Sequence, residues 1–400
     1  MPRLAAVVLA ILLLAPPSAV AAGQTPLARK LSRALAVPHV ARSRSAALAV
    51  DLTTGKQLYA QNLRLPLIPA SNEKLAVTYA SLLALGPSYR FSTDVLGEGE
   101  LDGTLWRGDI VLNGYGDPTL STLDLLSLAS QLRSQGIRRV SGQIVGDESF
   151  FDARRIAPGW KSYFFLNESP ALSALIVDRG RYQGHVTREP ALAAALSFRA
   201  ALLRAGVTVA GRAMTGTADP AAVPLATIES VPLDLVLRFM DHESDNFTAE
   251  MLLKQLGAGL ALQGTTAAGA QVIHRLLTDQ QIPHAGVRIV DGSGLSRLDR
   301  LTTETVVAML RSSWLDQDLR EILIASLPVA GRSGTLDGRM RGTAAAGRVR
   351  AKTGTLNEAS ALSGYVSRRY AFSVIQNGPG ISIYWARRAQ DRFATVLAAQ

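Results

Sequence analysis

The stretch PASNEKLAVTYASLLALG (Pro69–Gly86) decides how the rest of the chain is interpreted. Proline fixes the backbone at its start, apolar residues recur at helical spacing, and Gly86 ends the pattern, so the sequence predicts a helix. Ser71 and Lys74 lie one turn apart on the same face of the helix start. Because 36 of the 42 basic residues are arginines, a lysine at this position calls for a reason.

The chemical reason for an amine is that lysine can act as a base. A serine hydroxyl becomes a good nucleophile only when a base removes its proton. Lysine can take that proton if burial or a nearby cation lowers its pKa, at a cost of roughly 4 kcal/mol, whereas arginine stays protonated. The helix start would also direct free N–H groups at a reacting carbonyl. Alone, Ser-x-x-Lys also fits an N-cap serine followed by a solvated lysine.

A second polar segment, Ser244-Asp245-Asn246, lies between two helical patterns. Its hydroxyl could relay protons beside the base, and its amide could hold the lysine and donate to a substrate carbonyl. Taken by itself, the segment also fits a helix N-cap before Phe247.

A third segment, KTGT at residues 352–355, ends a predicted strand. Gly354 would let a substrate backbone lie close, while the Lys352 ammonium and the threonine hydroxyls could bind a carboxylate. The last threonine's N–H could form an oxyanion hole with that of Ser71, and Lys352 would depress the pKa of Lys74. In isolation the segment also fits an edge-strand lysine before a turn.

Each of the three segments occurs once, in the order and wide spacing of the active-serine enzymes. Other segments match in family order from about Leu48 to Val396, namely PASNEKL, GDPTL, APGW, SDNFTAEMLLK, DGSGLSR, GTL, AKTGTL and SGYV. The chain therefore resembles the class C low-molecular-mass penicillin-binding proteins, the D-alanyl-D-alanine carboxypeptidase/endopeptidase family.

The resemblance implies two sets of site residues. The catalytic set would be Ser71 as the acylated nucleophile, Lys74 as its base, and Ser244 and Asn246 for proton relay and positioning. The substrate-binding set would be Lys352, Thr353, Gly354, Thr355, Arg297 and Asn357. Two residues of more loosely aligned segments, Asp147 and Phe151, are further candidates for the substrate cleft.

The expected fold class is α/β (α+β). Strands at both ends with helices between them predict one domain whose antiparallel sheet is completed by both termini. The resemblance implies a transpeptidase/β-lactamase-like domain, with a five-stranded sheet flanked by helices, from residues 22–90 and 225–400. Residues 91–224, rich in short strands and glycine turns, would form an inserted region of one or two small, mostly β domains.

The first 21 residues have the pattern of a secretory signal peptide, with Arg3, the apolar run Leu4–Ala15 and small residues up to Ala21. The alternative is a retained anchor, and membrane association is otherwise at most peripheral. Zero cysteines fit an exported chain that relies on core size. In such a periplasmic or extracellular protein, the net charge of +10 suggests anionic envelope polymers, an acidic substrate or a solvated surface, and no nucleic acid.

The expected function is that of a serine-type D-alanyl-D-alanine carboxypeptidase/endopeptidase. It would act on peptidoglycan stem peptides through an acyl-serine, would be acylated by β-lactams, and would need no metal or cofactor. One alternative is a β-lactamase-like hydrolase, which would need a second base on a loop of its own. The other is an inactive peptidoglycan-binding scaffold, although all three motifs are intact. The oligomeric state stays open.

Overall fold

The computed structural model describes residues 25–400, and the predicted signal peptide at residues 1–21 lies outside this part. Its α-helices are α1 (Pro26–Leu35), α2 (Lys74–Leu85), α3 (Thr122–Ser134), α4 (Pro190–Arg204), α5 (Leu233–Glu243), α6 (Asn246–Ala261), α7 (Thr266–Asp279), α8 (Thr303–Leu315), α9 (Gln317–Ser326) and α10 (Ile383–Ala398). Its strands are β1 (Ser45–Asp51), β2 (Gln57–Gln61), β3 (Ser92–Asp102), β4 (Leu105–Gly114), β5 (Arg139–Val140), β6 (Ile144–Asp147), β7 (Arg181–Tyr182), β8 (His185–Val186), β9 (Thr208–Val209), β10 (Ala213–Thr215), β11 (Val223–Glu229), β12 (Val349–Leu356), β13 (Ala359–Val366) and β14 (Tyr370–Asn377). No helix in these residues is long and apolar enough to cross a membrane.

The first large sheet has five antiparallel strands in the order β12-β13-β14-β1-β2. Strand β1 pairs with β14, with Ser45 opposite Gln376, so both ends of the described chain contribute. Strands β13 and β14 are buried along nearly their whole length because helices cover both faces. Helices α1 and α10 pack on one face through Leu31 and Phe393, and α2 and α8 pack on the other. The expected fold class is confirmed.

Helix α2 lies inside the core rather than on its surface. Every residue from Lys74 to Leu82 is buried, as expected for a helix that is apolar on nearly all sides. Gly86 follows it with φ of +81°, a backbone conformation that favours glycine. A helix enclosed in this way keeps its first turn, including Lys74, away from water.

Strands β3 to β6 and β9 to β11 form a second, seven-stranded sheet with the path β10-β6-β4-β3-β11. Helices α3 and α4 pack against it around Leu128 and Phe198, because an apolar sheet face needs a second layer. The region expected to be mostly β therefore also contains these two helices. Strand β11 pairs with β3 as far as Glu229, opposite Ser92. The second sheet thus ends at Glu229, not at the boundary expected at residue 224.

A small apolar cluster joins this second region to α6. Phe151 packs there with Phe247 and Met251. Beside it, the Arg179 guanidinium lies 5.1 Å from the centre of the Phe247 ring and 2.5 Å from the Asp245 carboxylate. These contacts hold the second region against the segment that carries Ser244, Asp245 and Asn246.

Candidate active site

Ser71 lies in a short 3₁₀ turn, Ala70–Glu73, that leads directly into α2. The predicted helix start is correct, but its first turn is tighter than an α-helix. Ala70 has φ of +47°, which bends the backbone just before the serine. The Ser71 hydroxyl is half-buried and lines a cavity of about 450 Å³.

Lys74 is fully buried, and its amine makes three polar contacts. The amine nitrogen lies 3.2 Å from Ser71 Oγ, 2.8 Å from Asn246 Oδ1 and 2.7 Å from the Ser293 carbonyl oxygen. The Asn246 amide is oriented by its own donor, because Nδ2 donates to the Glu168 carbonyl at 3.1 Å. The carbonyl and the amide oxygen can only accept, so they take two hydrogens of the amine. In the neutral amine, the remaining lone pair is then available to the Ser71 hydroxyl.

Burial lowers the pKa of Lys74 to about 8, although Asp291, Asp245 and Glu250 work in the opposite direction. Burial and then the neighbouring Lys74 lower the pKa of Lys352 to about 7. Because the repulsion between two buried amines is mutual, Lys74 and Lys352 titrate as a pair. Both amines can lose a proton near neutral pH, as arginine could not.

The segment Ser244–Asn246 is both a helix cap and part of the site. Asp245 is the N-cap of α6 and accepts a hydrogen bond from Thr248 N at 2.8 Å. Ser244 ends α5 in the left-handed conformation, with φ of +58°. This turn directs the Ser244 hydroxyl to Lys352 Nζ, which donates to it at 2.8 Å. The two interpretations that the sequence allowed, a helix N-cap and a segment of the active site, are thus compatible.

Lys352 lies in the interior of the site. Its side chain is fully buried, and its amine donates to Ser244 Oγ and, at 3.1 Å, to the Thr353 carbonyl. An amine in this position is part of the buried polar network, and two of the three hydrogens of its ammonium are engaged there. Direct binding of a substrate carboxylate by Lys352 stays a prediction.

Gly354 is required by the protein's own backbone. A Cβ at this position would lie 2.6 Å from the Pro69 carbonyl oxygen and 3.1 Å from Ser71 N, which is too close for a side chain. The glycine lets β12 approach the Ser71 turn, and Asn72 Nδ2 reinforces this contact by donating to the Lys352 carbonyl at 2.9 Å. From the sequence alone, Gly354 is expected to leave room for the backbone of a substrate instead.

The remaining predicted residues fall into two groups. Arg297 and Asn357 line a second cavity of about 310 Å³, which shares Thr355 with the cavity of Ser71. Asp147 and Phe151 are not at the site. Asp147 is buried in β6 and accepts from Ser149 N and Ala218 N, and Phe151 packs in the apolar cluster beside α6.

Sequence reasoning missed the loop that holds the Lys74 amine. The Ser293 carbonyl is fixed because Gly292 N and Ser293 N both donate to one oxygen of Glu250, at 3.0 and 2.8 Å. Asp291 accepts from Gly294 N and from Trp160 Nε1, at 2.6 and 2.8 Å. The segments DGSGLSR and APGW, which resemble family signatures, contain Asp291, Ser293 and Trp160 and are the signal for this loop.

Behind this loop lies a group of buried carboxyl side chains. Glu73 and Glu250 are fully buried, and burial, followed by the nearby carboxylate of Asp291, raises the pKa of both, that of Glu250 to about 8. Neither oxygen of Glu73 has a hydrogen-bond partner within residues 25–400. In that same span, no three His, Cys, Asp or Glu side chains have the arrangement of a metal site.

A five-stranded antiparallel sheet, with a serine and a buried lysine at the start of its central helix, defines the class of active-serine acyl enzymes. Within this class the chain belongs to the D-Ala-D-Ala carboxypeptidase 3 (S13) family, whose model matches residues 27–192 and 186–400. The expected family and enzyme class, a serine-type D-Ala-D-Ala carboxypeptidase, are confirmed.

Individual relatives agree with this assignment. The chain is 32% identical to the D-alanyl-D-alanine carboxypeptidase of Actinomadura sp. (strain R39), over 88% of this chain and 81% of the relative. The crystal structure of penicillin-binding protein 4 (DacB) from Haemophilus influenzae has a TM-score of 0.80 at 22% identity, covering 92% of this chain and 98% of that one. The penicillin G-acylated endopeptidase Bd3459 of Bdellovibrio bacteriovorus has a TM-score of 0.53 at 20% identity, covering 83% and 85%. These two structures share the fold.

Proposed function

We propose that this S13 peptidase cleaves the terminal D-Ala-D-Ala bond of peptidoglycan stem peptides with Ser71 as its nucleophile. The observation that carries the proposal is the Lys74 amine, which lies 3.2 Å from Ser71 Oγ while two obligate acceptors hold its hydrogens. Such an amine is a base in position to take the serine proton.

In the first step, Lys74 takes the proton of Ser71 as Oγ attacks the carbonyl carbon of the penultimate D-alanine. The N–H groups of Ser71 and Thr355 would stabilise the oxyanion. As the C–N bond breaks, the proton on Lys74 passes through the Ser244 hydroxyl, which also accepts a hydrogen bond from Lys352, to the leaving amine of the last D-alanine, and Lys74 is neutral again. Water then attacks the acyl-serine while Lys74 takes one of its protons, and Lys74 returns that proton to Ser71 Oγ as the ester C–O bond breaks.

The cavity that adjoins the site is the proposed location of the rest of the stem peptide. It is lined by Arg297 and Asn357 and shares Thr355 with the cavity of Ser71. Arg297 is ion-paired with Glu358, so the cavity wall presents a guanidinium and a carboxylate side by side. A peptide with both amine and carboxylate groups fits such a lining.

β-Lactams are proposed to acylate the same serine, and the protein is proposed to act after export, in the periplasm or outside the cell. The penicillin G-acylated Bdellovibrio endopeptidase supports the first point, since it shares this fold. The sequence of the first 21 residues supports the second.

Labelling with a fluorescent penicillin tests the nucleophile. We expect covalent label on the wild type and none on Ser71→Ala. The label should persist for minutes or longer, whereas rapid turnover of a chromogenic β-lactam would identify a β-lactamase. Label retained by Ser71→Ala would remove Ser71 from its role. Mass analysis of muropeptides after digestion of sacculi should then show loss of one D-alanine, opening of cross-links, or both.

A further inference from the structure

The KTGT segment presents no exposed cation at the cavity of Ser71, because Lys352 lies inside the buried polar network. Its amine is fully buried and already bonded to Ser244 and to the Thr353 carbonyl. A D-Ala-D-Ala peptide nevertheless ends in a carboxylate, and neutral hydroxyls alone bind such a group weakly compared with a charged donor.

An exposed arginine occupies the place where that charge is needed. Arg387 lies in the second turn of α10, and its Nη2 donates to Thr355 Oγ1 at 3.1 Å. Its side chain lines the same cavity as Ser71 and Ser244. Thr353, on the same strand as Thr355, donates to Thr335 Oγ1 at 2.8 Å, so both threonine hydroxyls are held at the cavity rim.

Arg387 has no carboxylate partner within residues 25–400. Arg339, which also lines the cavity, is paired with Asp391 at 2.6 Å and donates to Gln390 Oε1 at 3.2 Å. Asp391, which attracts Arg387 electrostatically, is therefore engaged by the other guanidinium. Partial burial and then the neighbouring Arg339 lower the pKa of Arg387, while Asp391 works in the opposite direction.

We propose that Arg387 binds the free α-carboxylate of the substrate's last residue, together with the hydroxyls of Thr353 and Thr355. One N–H of the guanidinium already bonds Thr355 Oγ1, and its remaining donors can pair with a planar carboxylate. The inference rests on the proposed function. It makes the cavity selective for peptides with a free carboxylate next to the scissile amide, and against the corresponding carboxamides.

A pair of substrates and a pair of variants test this inference. The substrates are a diacylated tripeptide that ends in D-Ala-D-Ala and the same peptide with a carboxy-terminal amide. Arg387→Gln keeps an N–H donor for Thr355 but removes the charge. The matched control is Arg388→Gln. Arg388 is also exposed on α10, but its Nη1 donates a hydrogen bond to the Tyr384 hydroxyl at 3.0 Å.

We expect Arg387→Gln to lower kcat/KM for the free-acid peptide by about tenfold to a hundredfold and to leave the amide peptide nearly unchanged. Arg388→Gln should alter neither, and Arg387→Lys should restore part of the loss. Thermal unfolding of each variant checks that it is folded.

Two results would overturn the inference while the proposed function stands. One is an equal fall for both peptides in Arg387→Gln, which would indicate a structural role, and the other is no change for either. If the wild type cleaves neither peptide, the proposed function itself fails and the inference fails with it. The wild-type assay therefore separates the two failures.

Discussion

The inner and outer parts of the site use different cations. The inner part is buried around two amines and consists of Ser71, Lys74, Ser244, Asn246 and Lys352. The outer part, the rim of the cavity, carries guanidinium groups and hydroxyls and consists of Thr335, Arg339, Thr353, Thr355 and Arg387.

This difference explains why a chain so rich in arginine keeps lysine at positions 74 and 352. Burial can neutralise an amine near pH 7, so an amine suits a place where a proton moves. A guanidinium stays charged, so it suits a place where a permanent charge binds an anion. The following predictions test this division, beginning with the largest expected effect.

Exchanging the cation of the inner part should cause the largest loss. Lys74→Arg keeps a positive charge but cannot accept the Ser71 proton, so acylation by a labelled penicillin should be about 10³-fold slower. Lys74→Gln, which is uncharged and equally unable to act as a base, is the matched control for charge. A rate within tenfold of the wild type in either folded variant would place the base elsewhere.

Removing the hydroxyl of Ser244 should cost less, about a hundredfold in peptidase kcat. Ser244→Gly is the sharper variant, because glycine adopts the φ of +58° without strain. Ser244→Ala removes the same hydroxyl but adds backbone strain, so any further loss in its thermal stability measures that strain. If Ser244→Gly cleaved peptides at the wild-type rate, protons would have to reach the leaving group by another path.

The pH dependence of acylation should follow the neutral form of Lys74. Its pKa of about 8 means that the amine is mostly protonated at pH 6 and mostly neutral at pH 9. The second-order acylation rate should therefore rise about tenfold per pH unit below 8 and then level off. Stopped-flow labelling between pH 6 and 9 measures this. A rate that is flat over the whole range would contradict a titrating base with that pKa.

Glu73→Gln should have the smallest effect on activity, within about twofold, because burial and then Asp291 raise the pKa of the Glu73 carboxyl and so favour a neutral form that glutamine resembles. Its effect on stability should depend on pH. A raised pKa in the folded state gives stability that is complete below the ordinary value of 4.5 and is lost as the pH rises through the raised value.

Glutamine does not titrate, so the free energy of unfolding of Glu73→Gln minus that of the wild type should increase from pH 5 to pH 8. The slope is at most about 1.4 kcal/mol per pH unit. Urea denaturation at several pH values measures it, and because Asp291 and Glu250 interact electrostatically with Glu73, the difference includes the response of these neighbours. A constant difference over this range would show that Glu73 is charged in the folded protein.

The sequence predicted those features that local motifs encode. Ser71 and Lys74 are one helical turn apart, and the strands at both ends of the chain had a clear β pattern, so the inner part and the five-stranded sheet could be anticipated. The hydrogen bond from Lys74 to the Ser293 carbonyl could not be anticipated, because a backbone acceptor leaves no side-chain signature in the sequence. Arg387 was missed because only the packing of α10 on the sheet brings it to Thr355, 32 residues earlier in the chain.

The order of strands in the first sheet has a consequence for biogenesis. Strand β1, which precedes Ser71 in the chain, lies between β2 and β14. One edge of β1 therefore has no partner until β14 (Tyr370–Asn377) has been synthesised. The second sheet, by contrast, is complete once residue 229 has emerged and can form its own core early. We therefore expect the nucleophile to meet β12 only after the chain has been released at least as far as Asn377, the end of β14. The active site would then be complete only in a chain synthesised beyond that strand.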